Sequence, residues 1–129
     1  MSGAITEYPV PTPLSAPFII TPGPDGNVWF VESDPQHSQV GRVTPNGTIT
    51  EFAAGITPHS IPSGIAAGAD GNLWFTEGVG KIGRITPKGT VTEFSAPTAL
   101  DHPYNITAGS DGNLWFTAGT TGRIGRVVP

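Results

Sequence analysis

Apolar positions along the 129-residue chain fall in short bursts of β-branched and aromatic residues, each bounded by glycine, proline, asparagine or aspartate. Bursts of this length between turn residues read as β-strands. Four kinds recur. The first is led by proline, at Ser15–Ile20, Ile61–Ile65 and His102–Ile106. The second carries Trp-Phe and follows the Asp-Gly-Asn turns at Asp25, Asp70 and Asp111. The third holds a Gly-Arg pair, at Val40–Val43, Ile82–Ile85 and Ile124–Val127. The fourth is Ile49–Phe52, Val91–Phe94 and, near the start of the chain, Ile5–Tyr8.

The Asp-Gly-Asn turns lie 45 and 41 residues apart, and a fixed period of this size marks a repeat architecture. In Leu73-Trp74-Phe75-Thr76 apolar groups occupy both parities, so the strand buries both faces of its sheet. A four-stranded sheet covered on each side by copies of itself is a propeller blade. The expected fold is therefore all-β, a β-propeller with three four-stranded blades per chain. The small Ala66-Ala67-Gly68 run suits the crowded innermost strand.

Pro45-Asn46-Gly47 and Pro87-Lys88-Gly89 read as hairpins joining the third and fourth strands. A two-residue loop at Lys88-Gly89 would set Arg84 opposite Glu93, and its counterpart Arg42 opposite Glu51. The order of segments is offset: a fourth-type strand at residues 5–9 has no third before it, and Ile124–Val127 has no fourth after it. The strand at 5–9 is expected to complete, in trans, the blade begun by the C-terminal strands. Three blades fall short of the roughly four to eight that close a ring. An open arc leaves two apolar faces and an unpaired strand edge, which predicts a homodimer with a six-bladed ring, a nine-bladed homotrimer being the lesser alternative.

The segments DGNLWFTE and IGRITPKGTVTEF, with Pro62-Ser63-Gly64-Ile65-Ala66, resemble the repeat of the virginiamycin B lyase, or streptogramin lyase, family. The resemblance implies a β-propeller, seven-bladed in the family's enzymes. It also implies a lyase that opens cyclic streptogramin B antibiotics by elimination at the lactone ester, with a divalent metal, usually Mg2+, a histidine acid or base and a nearby glutamate. Multiples of three cannot give seven blades, and no match carries the catalytic histidine and glutamate onto particular residues here.

Composition narrows the partners. With six Lys and Arg against ten Asp and Glu, and no basic cluster, the chain offers nothing to a phosphate backbone, so nucleic acid is not expected. No apolar run approaches the roughly 20 residues of a membrane helix, and the chain as given opens on no signal sequence, so a cytoplasmic protein without membrane contact is expected. There are no cysteines and hence no disulfides or thiolate metal sites. Gly78-Val79-Gly80-Lys81-Ile82-Gly83 matches a dinucleotide pattern but leads into a strand, not a helix whose amides could hold a pyrophosphate.

Function lives where repeats differ. In such a blade the Asp-Gly-Asn and Pro-x-Gly turns share one face of the disc, while the variable loops gather on the other. The three histidines, His37, His59 and His102, fall on that variable face, as do Glu32 and Glu77, where the third copy has Ala118. Bordering a central pocket, His59, His102, Tyr104, Glu32 and Glu77 could bind a small molecule, hold a metal or move a proton. The plainer reading, solvated loop residues, carries more weight, and none is assigned as catalytic. The expectation is a self-assembling propeller scaffold or binding module without catalysis or cofactor of its own. The alternative is a streptogramin B lyase-like enzyme using Mg2+ at a site assembled across two chains.

Overall fold

The computed structural model describes residues 2–98 and 101–129. Eleven strands form three antiparallel sheets: β1 (Pro17–Pro22) to β4 (Ile49–Phe52) with β2 (Val28–Glu32) and β3 (Gln39–Val43) between; then β5 (Pro62–Ala67), β6 (Leu73–Glu77), β7 (Lys81–Ile85) and β8 (Val91–Ser95); then β9 (Pro103–Ala108), β10 (Leu114–Ala118) and β11 (Arg123–Val127). Within each sheet the strands pair in chain order, so every connection is a hairpin. No helix among the described residues is long and apolar enough to cross a membrane.

The first strands pack on one another, β1 on β5 and β5 on β9, so the sheets converge at their first strands like spokes. The approach is close: a Cβ on Gly64 would fall 2.9 Å from the Asn105 Cα, a distance no side chain tolerates. Thr76 Oγ1 reinforces the junction, accepting from the Gly64 amide at 2.9 Å and donating to the Tyr104 carbonyl at 2.8 Å. Between the first two sheets the core consists of Trp29, Val31 and Val40 against Ile65, Leu73, Phe75 and Ile85. Between the second and third it is Ala66, Trp74 and Ile82 against Ile106, Leu114 and Phe116. Trp29 and Trp74 thus pack between blades and are buried, whereas Trp115 on the outer face of the third sheet is 37 % exposed.

Each Asp-Gly-Asn turn is held by its aspartate. Asp25 accepts from the Asn27 amide and from Trp29 Nε1 at 3.0 Å, and Asp70 repeats the pattern with Asn72 and Trp74. These bonds, outweighing the upward push of burial, keep both aspartates below the usual carboxylate range.

The register of the third hairpin strands differs from expectation by one residue. Gly83 faces Glu93 and Arg84 faces Thr92; Gly41 faces Glu51 and Arg42 faces Thr50. The turn is a three-residue loop closed by Thr86 and Thr90, with Gly89 at φ +95° absorbing the extra residue as a bulge. The arginines therefore leave the glutamates and lie over aromatic rings instead. Arg84 is 5.7 Å from the Trp74 centroid and 5.6 Å from Phe94; Arg42 covers Trp29 and Phe52 likewise. Arg126 covers Trp115 in the third sheet, which among the described residues has three strands.

Residues 5–9 form no strand within the chain. Tyr8 nevertheless lies over Gly47 as Phe52 lies over Gly89, so that a Cβ at either glycine would run into the ring. The first segment thus occupies the place of a preceding blade's outer strand, without the rest of that blade.

Candidate functional site

The loops between second and third strands, and those between successive blades, carry the chemistry. A Thr-Pro-x-Ser stretch precedes each of the first two blades, Thr12–Ser15 and Thr57–Ser60, and folds over the end of the second strand. Its backbone is strained in the same way twice: Leu14 and His59 both have φ of 62°, Ala16 has 56° and Ile61 has 53°. A β-branched residue such as Ile61 rarely adopts this left-handed conformation. The strain turns Ser15 and Ser60 fully inward, onto Glu32 and Glu77, which close β2 and β6 and are themselves fully buried.

Ser15 Oγ donates to Glu32 Oε1 at 2.6 Å, while both Glu77 oxygens and Ser60 Oγ lack a hydrogen-bond partner among the described residues. Burial pushes the Glu32 carboxyl up to about 7, and the neighbouring Glu51 pushes the same way. Glu77 is raised to about 7 by burial and by Glu93. The outer acids are held from the preceding connection. Glu93 accepts from the Thr57 amide at 2.6 Å, from Thr57 Oγ1 at 2.8 Å and from Lys81 Nζ at 2.8 Å. Against the upward push of burial, these bonds from Lys81 and Thr57 hold Glu93 below the usual range. Glu51 repeats the arrangement, accepting from the Thr12 amide at 2.9 Å and its hydroxyl at 2.6 Å.

In the third blade the two residue types exchange places. Asp101 stands where the others have serine and Ala118 where they have glutamate, so one buried carboxyl is kept but moves from strand to loop. Asp101 accepts from Thr121 Oγ1. These partners, Thr12, Ser15, Thr57, Ser60, Glu51, Glu93 and Asp101, were not among the residues nominated from sequence. The repeated Thr-Pro-x-Ser stretch was the signal for them.

The nominated residues are not brought together within one chain. His59 is exposed, its Nδ1 2.8 Å from the Pro35 carbonyl, and it lines a cleft of about 310 Å³ with Thr12, His37, Gln39 and Ile56 that contains none of the other four. His37 is instead paired with Asp34 at 3.0 Å. His102, just before β9, and Tyr104, within it, are exposed, whereas Glu32 and Glu77 are sealed from solvent. No three of His, Cys, Asp and Glu converge as a metal site among the described residues.

Several solved structures share this architecture. A streptogramin B lyase is 40 % identical over 98 % of this chain with a TM-score of 0.90, and the match covers 42 % of that chain. Selenomethionine-substituted virginiamycin B lyase from Staphylococcus aureus is 41 % identical over 97 % of this chain and 45 % of its own, TM-score 0.85. A catalytically inactive variant of the S. aureus enzyme with quinupristin is 41 % identical, covering 98 % and 46 %, TM-score 0.84. The chain therefore spans less than half the length of these lyases. A gluconolactonase-like structure at 20 % identity and TM-score 0.65 shares the fold alone. The virginiamycin B lyase family matches over residues 1–129, and the chain belongs to that family.

Proposed function

We propose that the chain is a propeller half-ring that closes by joining a second copy into six blades, a scaffold or binding platform without chemistry of its own. One observation carries this reading. The third sheet has three strands with β11 at its edge, while residues 5–8 bring Tyr8 to the position of an outer strand that has no blade behind it. The two open faces are also complementary. On the first sheet Ile20, Phe30 and Val43 occupy the positions that Ile65, Phe75 and Ile85 fill against the preceding blade. On the third, Trp115 and Ile124 occupy the positions of Trp74 and Ile82. Ile20 and Ile124 are 63 % and 67 % exposed, apolar surface that a joined blade would remove from water.

Sedimentation tests it: the folded protein should have twice the 13.3 kDa mass of the chain. Three times that mass would point to nine blades, and a folded single chain would overturn the reading. The 40–41 % identity to streptogramin lyases favours a second reading, an enzyme whose site is completed by the rest of the ring. Incubation with quinupristin and magnesium, followed by mass spectrometry, separates the two. The scaffold reading expects an intact ring. Opening that disappears in His59→Ala or His102→Ala would make the protein a lyase.

A further inference from the structure

Each complete blade grips the glutamate of its outer strand in one way. A threonine from the preceding connection gives its amide and hydroxyl to the carboxylate, and the first residue of the third strand bonds the same hydroxyl. In the first blade that residue is Gln39, 3.3 Å from Thr12 Oγ1. In the second it is Lys81, 2.7 Å from Thr57 Oγ1 and 2.8 Å from the carboxylate itself.

The third blade has the grip without the acid. Arg123 opens β11, and its Nη1 lies 3.3 Å from Thr98 Oγ1 and 3.9 Å from the buried Asp101. The glutamate at the matching place in the repeated Ile-Thr-Glu-aromatic segment is Glu7. Glu7 is exposed and makes no hydrogen bond or ion pair among the described residues. We infer that Thr98 and Arg123 form a socket for the Glu7 carboxylate of a second copy, so that every joint of the ring is latched by one chain's acid in the other's cation. The inference rests on the half-ring reading and adds what selects the partner.

The chemistry at the joint favours it. Gln39 and Lys81 serve where the outer strand is already tethered by a hairpin; arginine, able to hold a carboxylate with two parallel bonds, stands where it is not. Arg123 also lies beside Asp101, so an incoming Glu7 meets a cation and not an unscreened acid. Removing that cation would set two carboxylates against each other.

A charge exchange tests the latch. Glu7→Arg and Arg123→Glu should each weaken self-association by about tenfold or more, measured by sedimentation equilibrium at moderate salt. In a two-copy ring, an equimolar mixture of the two variants has one joint with both charges reversed and one with neither changed. The mixture should therefore regain association to within about threefold of wild type, as one chain of each kind. Circular dichroism of each variant checks that it stays folded. Wild-type pairs that neither substitution weakens, or a mixture no tighter than its components, would overturn the latch while leaving the ring in place. A folded wild-type single chain would overturn both.

Discussion

Gly83→Ala is expected to destabilise the fold by about 3 kcal/mol or more, lowering the midpoint of thermal unfolding by roughly 10 °C. Gly83 lies opposite Phe75 across the β6–β7 pair, and the ring covers the space where its side chain would be. Phe75 is fully buried against the first sheet, so the ring has nowhere to swing. The added methyl must force apart either the strand pair or the blade interface, and close-packed interiors resist both. The same stacking recurs at Gly41 under Phe30 and Gly125 under Phe116, which marks the Gly-Arg pair as a packing device. Gly119→Ala is the control: no atom lies within 4 Å of its would-be Cβ, and that substitution should be neutral or slightly stabilising. Equal effects at the two sites would contradict the account.

Glu77→Gln should remove a large part of the pH dependence of stability near neutrality, with Glu32, also raised to about 7, keeping the rest. The folded carboxyl keeps its proton up to about 7, whereas its ordinary value is 4.5. Between these values the folded state binds more protons than the unfolded one, so wild-type stability falls as pH rises through the window and levels off above it. The fall amounts to at most about 3 kcal/mol from this group. An amide cannot ionise, so Glu77→Gln should match wild type near pH 5 and exceed it by about 2–3 kcal/mol at pH 8, read from urea midpoints. Glu32→Gln should act in the same direction, since burial raises the Glu32 carboxyl to about 7 as well. Parallel stability curves for wild type and Glu77→Gln between pH 5 and 8 would refute the assignment.

The repeat made the strands readable. Leu73-Trp74-Phe75-Thr76, apolar on both parities, announced a sheet covered on both faces, and Trp74 and Phe75 do face opposite neighbouring blades. The register of the outer strand was not readable to the residue. Pro87-Lys88-Gly89 can close a hairpin with two or three loop residues, and only the backbone at Gly89 decides which. The extra loop residue, repeated at Gly47 in the first blade, moves Arg42 and Arg84 from the glutamates to the rings.

The acids were half legible. Glu32 and Glu77 stood out because the third copy has Ala118, yet their burial depends on Ser15 and Ser60 being turned inward by left-handed backbone at Ala16 and Ile61. Neither residue type advertises that conformation. The exchange of Ser-Glu for Asp-Ala in the third blade is written in the sequence, but it gains meaning only once Asp101 is seen to be buried in the connection before β9, as Ser15 and Ser60 are in those before β1 and β5. The histidines show the converse: His59 and His102 share a face in the repeat pattern, but the cleft beside His59 does not contain His102.

Residues 5–8 of one copy are expected to finish the third blade of another. The register of β7 with β8 places Arg84 opposite Thr92, and the same repeat positions set Arg126 opposite Thr6. The chain contains no cysteine, so a Thr6→Cys chain refolded together with an Arg126→Cys chain can be linked at that joint alone. Mild oxidation should yield a disulfide-linked species of twice 13.3 kDa that contains one chain of each kind. Folded chains that remain separate under the same oxidation would contradict the account.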